Sequence, residues 1–177
     1  MKKIVFILII LCISISVQLV AQTEPAEITP RNSWLKAGLN VGVPFGDISD
    51  VSSFTAGIDL KGQLMETNHV GIGITTGYNH FFPKNDFDAF GTIPLGVFIR
   101  YYPQTTGFFL GTDVGYSFLT GIPDGEGGFY VRPEVGYHNY DWNLFAFYNG
   151  IFRGDTDGGA IQYAGIGATY NIRFNRK

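Results

Sequence analysis

The segment YAGIGATYNIRF, residues 163–174, carries two residue sets in strict alternation. Ala164, Ile166, Ala168, Tyr170, Ile172 and Phe174 fall on one side of an extended chain. Tyr163, Gly165, Gly167, Thr169, Asn171 and Arg173 fall on the other. Successive side chains of a strand point to opposite faces, so this period of two describes a β-strand with one apolar and one polar face. The same reading extends upstream. Leu35, Ala37, Leu39, Val41 and Val43 oppose Lys36, Gly38, Asn40 and Gly42 within Ser33–Val43, and Phe54, Ala56, Ile58, Leu60 and Leu64 oppose Thr55, Gly57, Asp59, Lys61 and Gln63. Val70, Ile72, Ile74 and Tyr78 oppose Gly71, Gly73, Thr75 and Asn79, and Ile93, Leu95, Val97, Ile99 and Tyr101 oppose Pro94, Gly96, Phe98, Arg100 and Tyr102. A fifth segment sets Phe108, Leu110, Val114, Tyr116 and Phe118 against Phe109, Gly111, Asp113, Gly115 and Ser117. A sixth sets Phe129, Val131, Val135 and Tyr137 against Tyr130, Arg132, Glu134, Gly136 and His138. A seventh, Trp142–Phe152, leaves its facing open, because Phe145, Phe147 and Ile151 compete with Leu144, Ala146 and Tyr148 for the apolar side. No helical period competes after residue 30.

Eight strands of about 10 residues are each long enough to cross a bilayer at a tilt. The connections alternate in length. Pro44–Ser53, Phe81–Gly91, Leu119–Gly128 and Arg153–Gly159 are long; Glu66–Asn68, Pro103–Thr106 and Asn139–Asp141 are short. Short turns at one end and long loops at the other are the mark of a membrane barrel, with long loops outside and both termini in the periplasm. The expected fold is therefore all-β, an eight-stranded antiparallel up-and-down transmembrane β-barrel over residues 33–174. A soluble ligand-binding barrel of the lipocalin kind would turn the apolar faces inward. The glycines of the polar face oppose that arrangement: an open surface gains nothing from them, whereas a narrow lumen needs their space beside Phe98, Arg100 and Tyr102. Aromatic residues fall near both ends of the apolar faces, with Tyr101, Phe108, Tyr137 and Phe174 at one and Tyr78, Phe118 and Phe129 at the other, as in interfacial girdles.

The N-terminus reads as an export signal. Lys2 and Lys3 precede an apolar run, Ile4–Val17, diluted by Ser14 and Ser16, and Ala21 offers a cleavage point. Residues 1–21 are thus expected to be a signal peptide, 22–32 a polar periplasmic linker and 175–177 a short C-terminal tail. Cys12 is the one cysteine, and it lies in the signal segment, so the mature chain has no disulfide or thiolate site. As a lipidation site Cys12 would follow a small residue, and Leu11 precedes it. Without Lys2 and Lys3 the mature chain holds 10 Lys+Arg against 15 Asp+Glu, a formal charge of −5. It has no basic patch, which excludes nucleic acid as an expected partner.

These features resemble the small outer-membrane β-barrel domain family, whose eight-stranded members include OmpX-like and OmpA-like barrels. The resemblance covers residues 33–174. It includes an assembly signal in the last strand, where Tyr163, Gly165, Ala168 and Tyr170 fit a polar-x-Gly-x-x-apolar-x-aromatic spacing, although the chain continues to Lys177. It implies insertion into the outer membrane of a Gram-negative-type bacterium, with membrane lipid and the barrel-assembly machinery as partners. It does not imply one activity.

The strongest chemical constellation is the polar face. Lys36, Lys61 and Arg100 are expected a few residues above the short turns, and Asp59, Asp113, Arg132 and Glu134 near mid-height. Opposite charges in a closed lumen should pair, since an unpaired buried charge is costly. Arg100 is expected to be held by one or more of Asp59, Asp113 and Glu134. Eight strands leave room for side chains alone, so this cluster reads as a plug. The alternative is an ion path. The long loops carry Asp47, Asp50, Asp86, Asp88, Asp124, Glu126, Asp155 and Asp157, but Asp86-x-Asp88 and Asp155-x-Asp157-Gly158 lack the further ligands of a calcium loop. His69, His80 and His138 are scattered, and no Gly-x-Ser-x-Gly is present. Ser117 and His80 near the outer rim are the nearest approach to a hydrolase pair. No catalytic, metal or cofactor site is therefore expected. The preferred function is a structural or surface-interaction barrel meeting a partner through its external loops. A narrow, porin-like channel and a lipid-modifying enzyme are the alternatives.

Overall fold

A computed structural model describes residues 35–66, 69–85, 87–122, 125–154 and 159–172. The expected signal peptide, linker and C-terminal tail, together with Phe174 and the loop residues Asp86, Asp124, Asp155 and Asp157, lie outside the described residues. Alternation becomes eight strands: β1 (Leu35–Phe45), β2 (Ser52–Glu66), β3 (Val70–Pro83), β4 (Phe90–Tyr101), β5 (Gly107–Thr120), β6 (Gly128–His138), β7 (Trp142–Phe152) and β8 (Ile161–Ile172). Each pairs antiparallel with the next, and β1 closes on β8. The closing seam is continuous from Leu35↔Ile172 to Phe45↔Gln162. Closure leaves no unpaired edge.

Two prolines interrupt the ladders, because proline has no N–H to donate. The β3–β4 register skips from Thr76↔Leu95 to Asn79↔Thr92 around Pro94, and the β6–β7 register skips from Val131↔Gly150 to Glu134↔Phe147 around Pro133. At Pro94 the Thr76 hydroxyl donates to the proline carbonyl at 2.9 Å. One departure from the sequence reading lies in the first long connection. There Gly46, at φ 68°, leads into a single helical turn, α1 (Ile48–Val51). Four residues are too few to show a period of 3.6. Lys84 ties this turn to the next long loop, donating from its backbone N–H to Val51 O at 2.9 Å and from Nζ to Ser49 O at 2.6 Å.

The barrel is inverted relative to a protein folded in water. Leu39, Leu64, Ile166 and Leu95 are 58–67% exposed on the outer face, while Lys61 and Arg100 are fully buried inside. Strand β7 resolves accordingly. Phe145, Phe147 and Ile151 point inward with Asn143 and Asn149, and Trp142, Leu144 and Phe152 point outward.

Glycine sets the lumen's shape. Large inward groups stand in register between glycines: Asp59 between Gly38 and Gly77, Arg100 between Gly71 and Gly111, and Phe145 between Gly136 and Gly167. At Gly115 the reason is backbone proximity. A Cβ built there meets Leu95 O and lies 2.5 Å from the Cα of its partner Gly96. Gly115→Val is therefore expected to destabilise the barrel by about 1–3 kcal/mol through overpacking. Thr112→Val, on the outer face of the same strand, is expected to change stability little. Reversible urea unfolding of both variants checks the contrast.

Candidate functional site in the lumen

Three tiers of side chains occupy the interior. At the long-loop end Phe81 and Phe90 stack with ring centroids 4.4 Å apart, and Tyr163 meets Phe81 edge-on at 5.3 Å. Ile151 and Ile161 complete this apolar plug, with Ile48 of α1 and Leu119 against it. At the short-turn end Tyr102, Phe109 and His138 cluster, and His138 Nε2 lies 3.1 Å from Gln104 O. The charged residues lie between.

Lys61 enters from β2. Its Nζ donates to Asp113 Oδ1 and Oδ2 at 2.9 and 2.7 Å, and to Glu134 Oε1 at 2.6 Å. Those carboxylates come from β5 and β6, three and four strands away, so Lys61 spans the lumen. Arg132 on β6 reaches back in the opposite sense. Its Nη1 and Nη2 donate to Asp59 Oδ1 and Oδ2 on β2 at 2.7 and 3.0 Å, a planar two-point match that a lysine cannot make. The same guanidinium lies 4.0 Å from the centroid of the Phe147 ring and 3.5 Å, at Nε, from Glu134 Oε1. Arg100 on β4 donates from Nη2 to Glu134 Oε2 at 2.8 Å, with its guanidinium 4.6 Å from the Phe109 centroid. Glu134 thus contacts three cations. Burial among aromatic rings lowers the local dielectric around these pairs, which strengthens each attraction and raises the cost of breaking one.

The structure therefore pairs Arg100 with Glu134 alone among the three carboxylates considered for it. Register explains this. Arg100, Gly111 and Glu134 lie in one row across β4, β5 and β6. A Cβ on Gly111 would stand 2.8 Å from Arg100 Cγ, so the missing side chain opens the path. Asp113 sits between Phe98 and Arg132 in the next row inward, yet its carboxylate turns to Lys61. Asp59 pairs with Arg132.

Lys36 stands apart from the mid-lumen carboxylates. It donates to Asn171 Oδ1 at 3.0 Å, joining an amide group in which Asn143 Nδ2 donates to the same oxygen at 2.8 Å. Asn171 Nδ2 in turn donates to the Tyr140 carbonyl in the β6–β7 turn at 3.1 Å. The alternation had placed Asn171 inward but carried no signal for this contact. Phe145 and Phe147, the ring partners of the cations, were hidden by the ambiguity of β7.

The proposed last-strand signal divides across the wall. Tyr163 is buried, Gly165 faces inward, and Ala168 and Tyr170 face outward. The two rim residues weighed for hydrolysis also separate. Ser117 is buried in the lumen, while His80 lies on the outer side with its Nδ1 3.1 Å from Tyr78 OH. Among the described residues no group of three or more His, Cys, Asp or Glu could hold a metal ion. No protein-family model matches the chain, and a search of curated proteins finds no match.

Proposed function

We propose that this chain is an integral outer-membrane protein of the small eight-stranded barrel kind, acting as a structural or surface-interaction element through its long loops. The observation that carries the reading is the inverted surface: branched aliphatic side chains cover the outer wall, and every described Lys, Arg, Asp and Glu side chain in the strands of the mid-lumen is buried. In water such a surface drives association; in hydrocarbon it is the required one. Strands of 11–15 residues meet the 9–11 needed for a tilted crossing. Rings gather at both rims. Trp142 and Tyr170 pair at 5.1 Å near the short turns, and Phe45–Tyr148 and Phe54–Phe82 pair at 5.7 and 4.2 Å near the long loops. Side chains filling all three tiers favour this role over a channel.

The protein is expected to fractionate with the outer membrane and to run on a gel at two positions, depending on whether the sample is heated. Recovery in the soluble periplasm without detergent sinks the proposal. In planar bilayers the barrel is expected to give no steady conductance above baseline.

A further inference from the structure

We propose that the barrel holds one structural water in a small chamber between the charged tier and the apolar plug at the long-loop end. The chamber allows a water's centre about 10 Å³ of movement, which is room for about one molecule. Its wall comes from six neighbouring strands, with Asn79 on β3, Thr92 on β4, Ser117 on β5, Tyr130 on β6, Asn149 on β7 and Tyr163 on β8. Asn79, Ser117 and Tyr130 are each 1% exposed. Asn79 Oδ1, Ser117 Oγ and Tyr130 OH have no protein partner within hydrogen-bonding reach. Buried polar groups without a partner cost about 1–3 kcal/mol each; Asn79 Oδ1 turns to Gly57 on β2, and the Ser117 and Tyr130 hydroxyls, whose residues line this space, call for an occupant that bonds them together.

The chemistry of the wall selects water. The Ser117 and Tyr130 hydroxyls can donate, while the Asp113 carboxylate can accept. That mixed set matches a molecule that is both donor and acceptor. An anion would face Asp113 and a cation would face Arg132, both of which line the chamber. Any organic solute is larger than the space. The position is also structurally apt. Pro94 lines the same chamber, at the level where the β3–β4 ladder is interrupted between Thr76 and Asn79. The water ties β5 to β6 beside that interruption.

The test uses the full barrel in detergent micelles and oxygen-17 relaxation dispersion, which counts waters held longer than the barrel tumbles. Ser117→Ala and Tyr130→Phe each remove one hydroxyl and add no atoms. The double variant is expected to keep the folded strand signature and to lose the dispersion of one water relative to the parent. An unchanged dispersion in the folded double variant overturns the proposal. A crystal structure of the parent, independent of any variant's folding, is expected to show one density peak within hydrogen-bonding distance of Ser117 and Tyr130. Direct bonds among those side chains across a collapsed chamber, or a bromide signal at the peak after halide soaking, overturn it equally.

Discussion

Replacing Glu134 with leucine is expected to cost about 3–5 kcal/mol, the range for removing one partner of a buried ionic group. Glu134 accepts from Lys61 at 2.6 Å and from Arg100 at 2.8 Å, with Arg132 3.5 Å away. Lys61 keeps Asp113 and Arg132 keeps Asp59 when this carboxylate is lost. Arg100 keeps the weak contact to Asn143 Oδ1 at 3.4 Å and the Phe109 ring, but no carboxylate among the described residues. The damage should therefore arise chiefly from one stranded guanidinium, which is fully buried. Adding Arg100→Met to Glu134→Leu removes that guanidinium and leaves two balanced pairs. The double variant is expected to be more stable than Glu134→Leu alone, since replacing both partners by apolar groups is far cheaper than orphaning one. A double-mutant cycle by reversible urea unfolding in micelles measures the coupling. Simple additivity of the two single losses would mean that Arg100 and Glu134 do not depend on each other.

Ile74→Arg separates a barrel in lipid from a barrel in water by its size. Ile74 is 52% exposed on the outer wall, midway between Val70 and Tyr78 of β3. On the surface of a soluble protein such a change falls within about 0.5 kcal/mol of neutral. At a bilayer midplane an outward arginine costs about 2–4 kcal/mol, and near the interfaces about 0–1. Unfolding in lipid vesicles is expected to show the larger loss for Ile74→Arg and almost none for Asp88→Lys, an exposed loop change. Equal, small effects would remove the support for a membrane-facing wall. Thr75 is not a mild comparison, although it faces the polar lumen. It is 4% exposed and donates to Asp113 Oδ2 at 3.3 Å, so an arginine there would crowd the ion pairs.

Local alternation in the sequence determined most of the wall. A strand's two faces follow from pleating alone, so residues such as Leu39, Ile58, Ile74 and Leu95 could be assigned together, and Asn40, Asp59, Thr75 and Phe98 against them, before any partner strand was known. The loop pattern likewise set strand number and up-and-down order. Glycine in the polar face already signalled a crowded interior, and Gly111 beside Arg100 shows why.

Tertiary structure decided the rest, for two physical reasons. In β7 both candidate faces are apolar, so the hydrophobic pattern had no preference; the lumen took the face that carries Asn143 and Asn149. The ion pairing depends on height within the barrel, and height is a property of closure. Tilted strands make each hydrogen-bonded row climb as it passes around the wall: Lys36↔Lys61 and Lys61↔Thr75 lead through Thr75↔Gly96 and Gly96↔Gly115 to Gly115↔Tyr130. A row that begins at the short-turn end thus finishes beside the outer chamber. Counting residues from each turn treats the rows as level. It therefore placed Lys61 low beside Arg100, whereas closure brings Lys61 across to Asp113 and Glu134 and leaves Asp59 to Arg132.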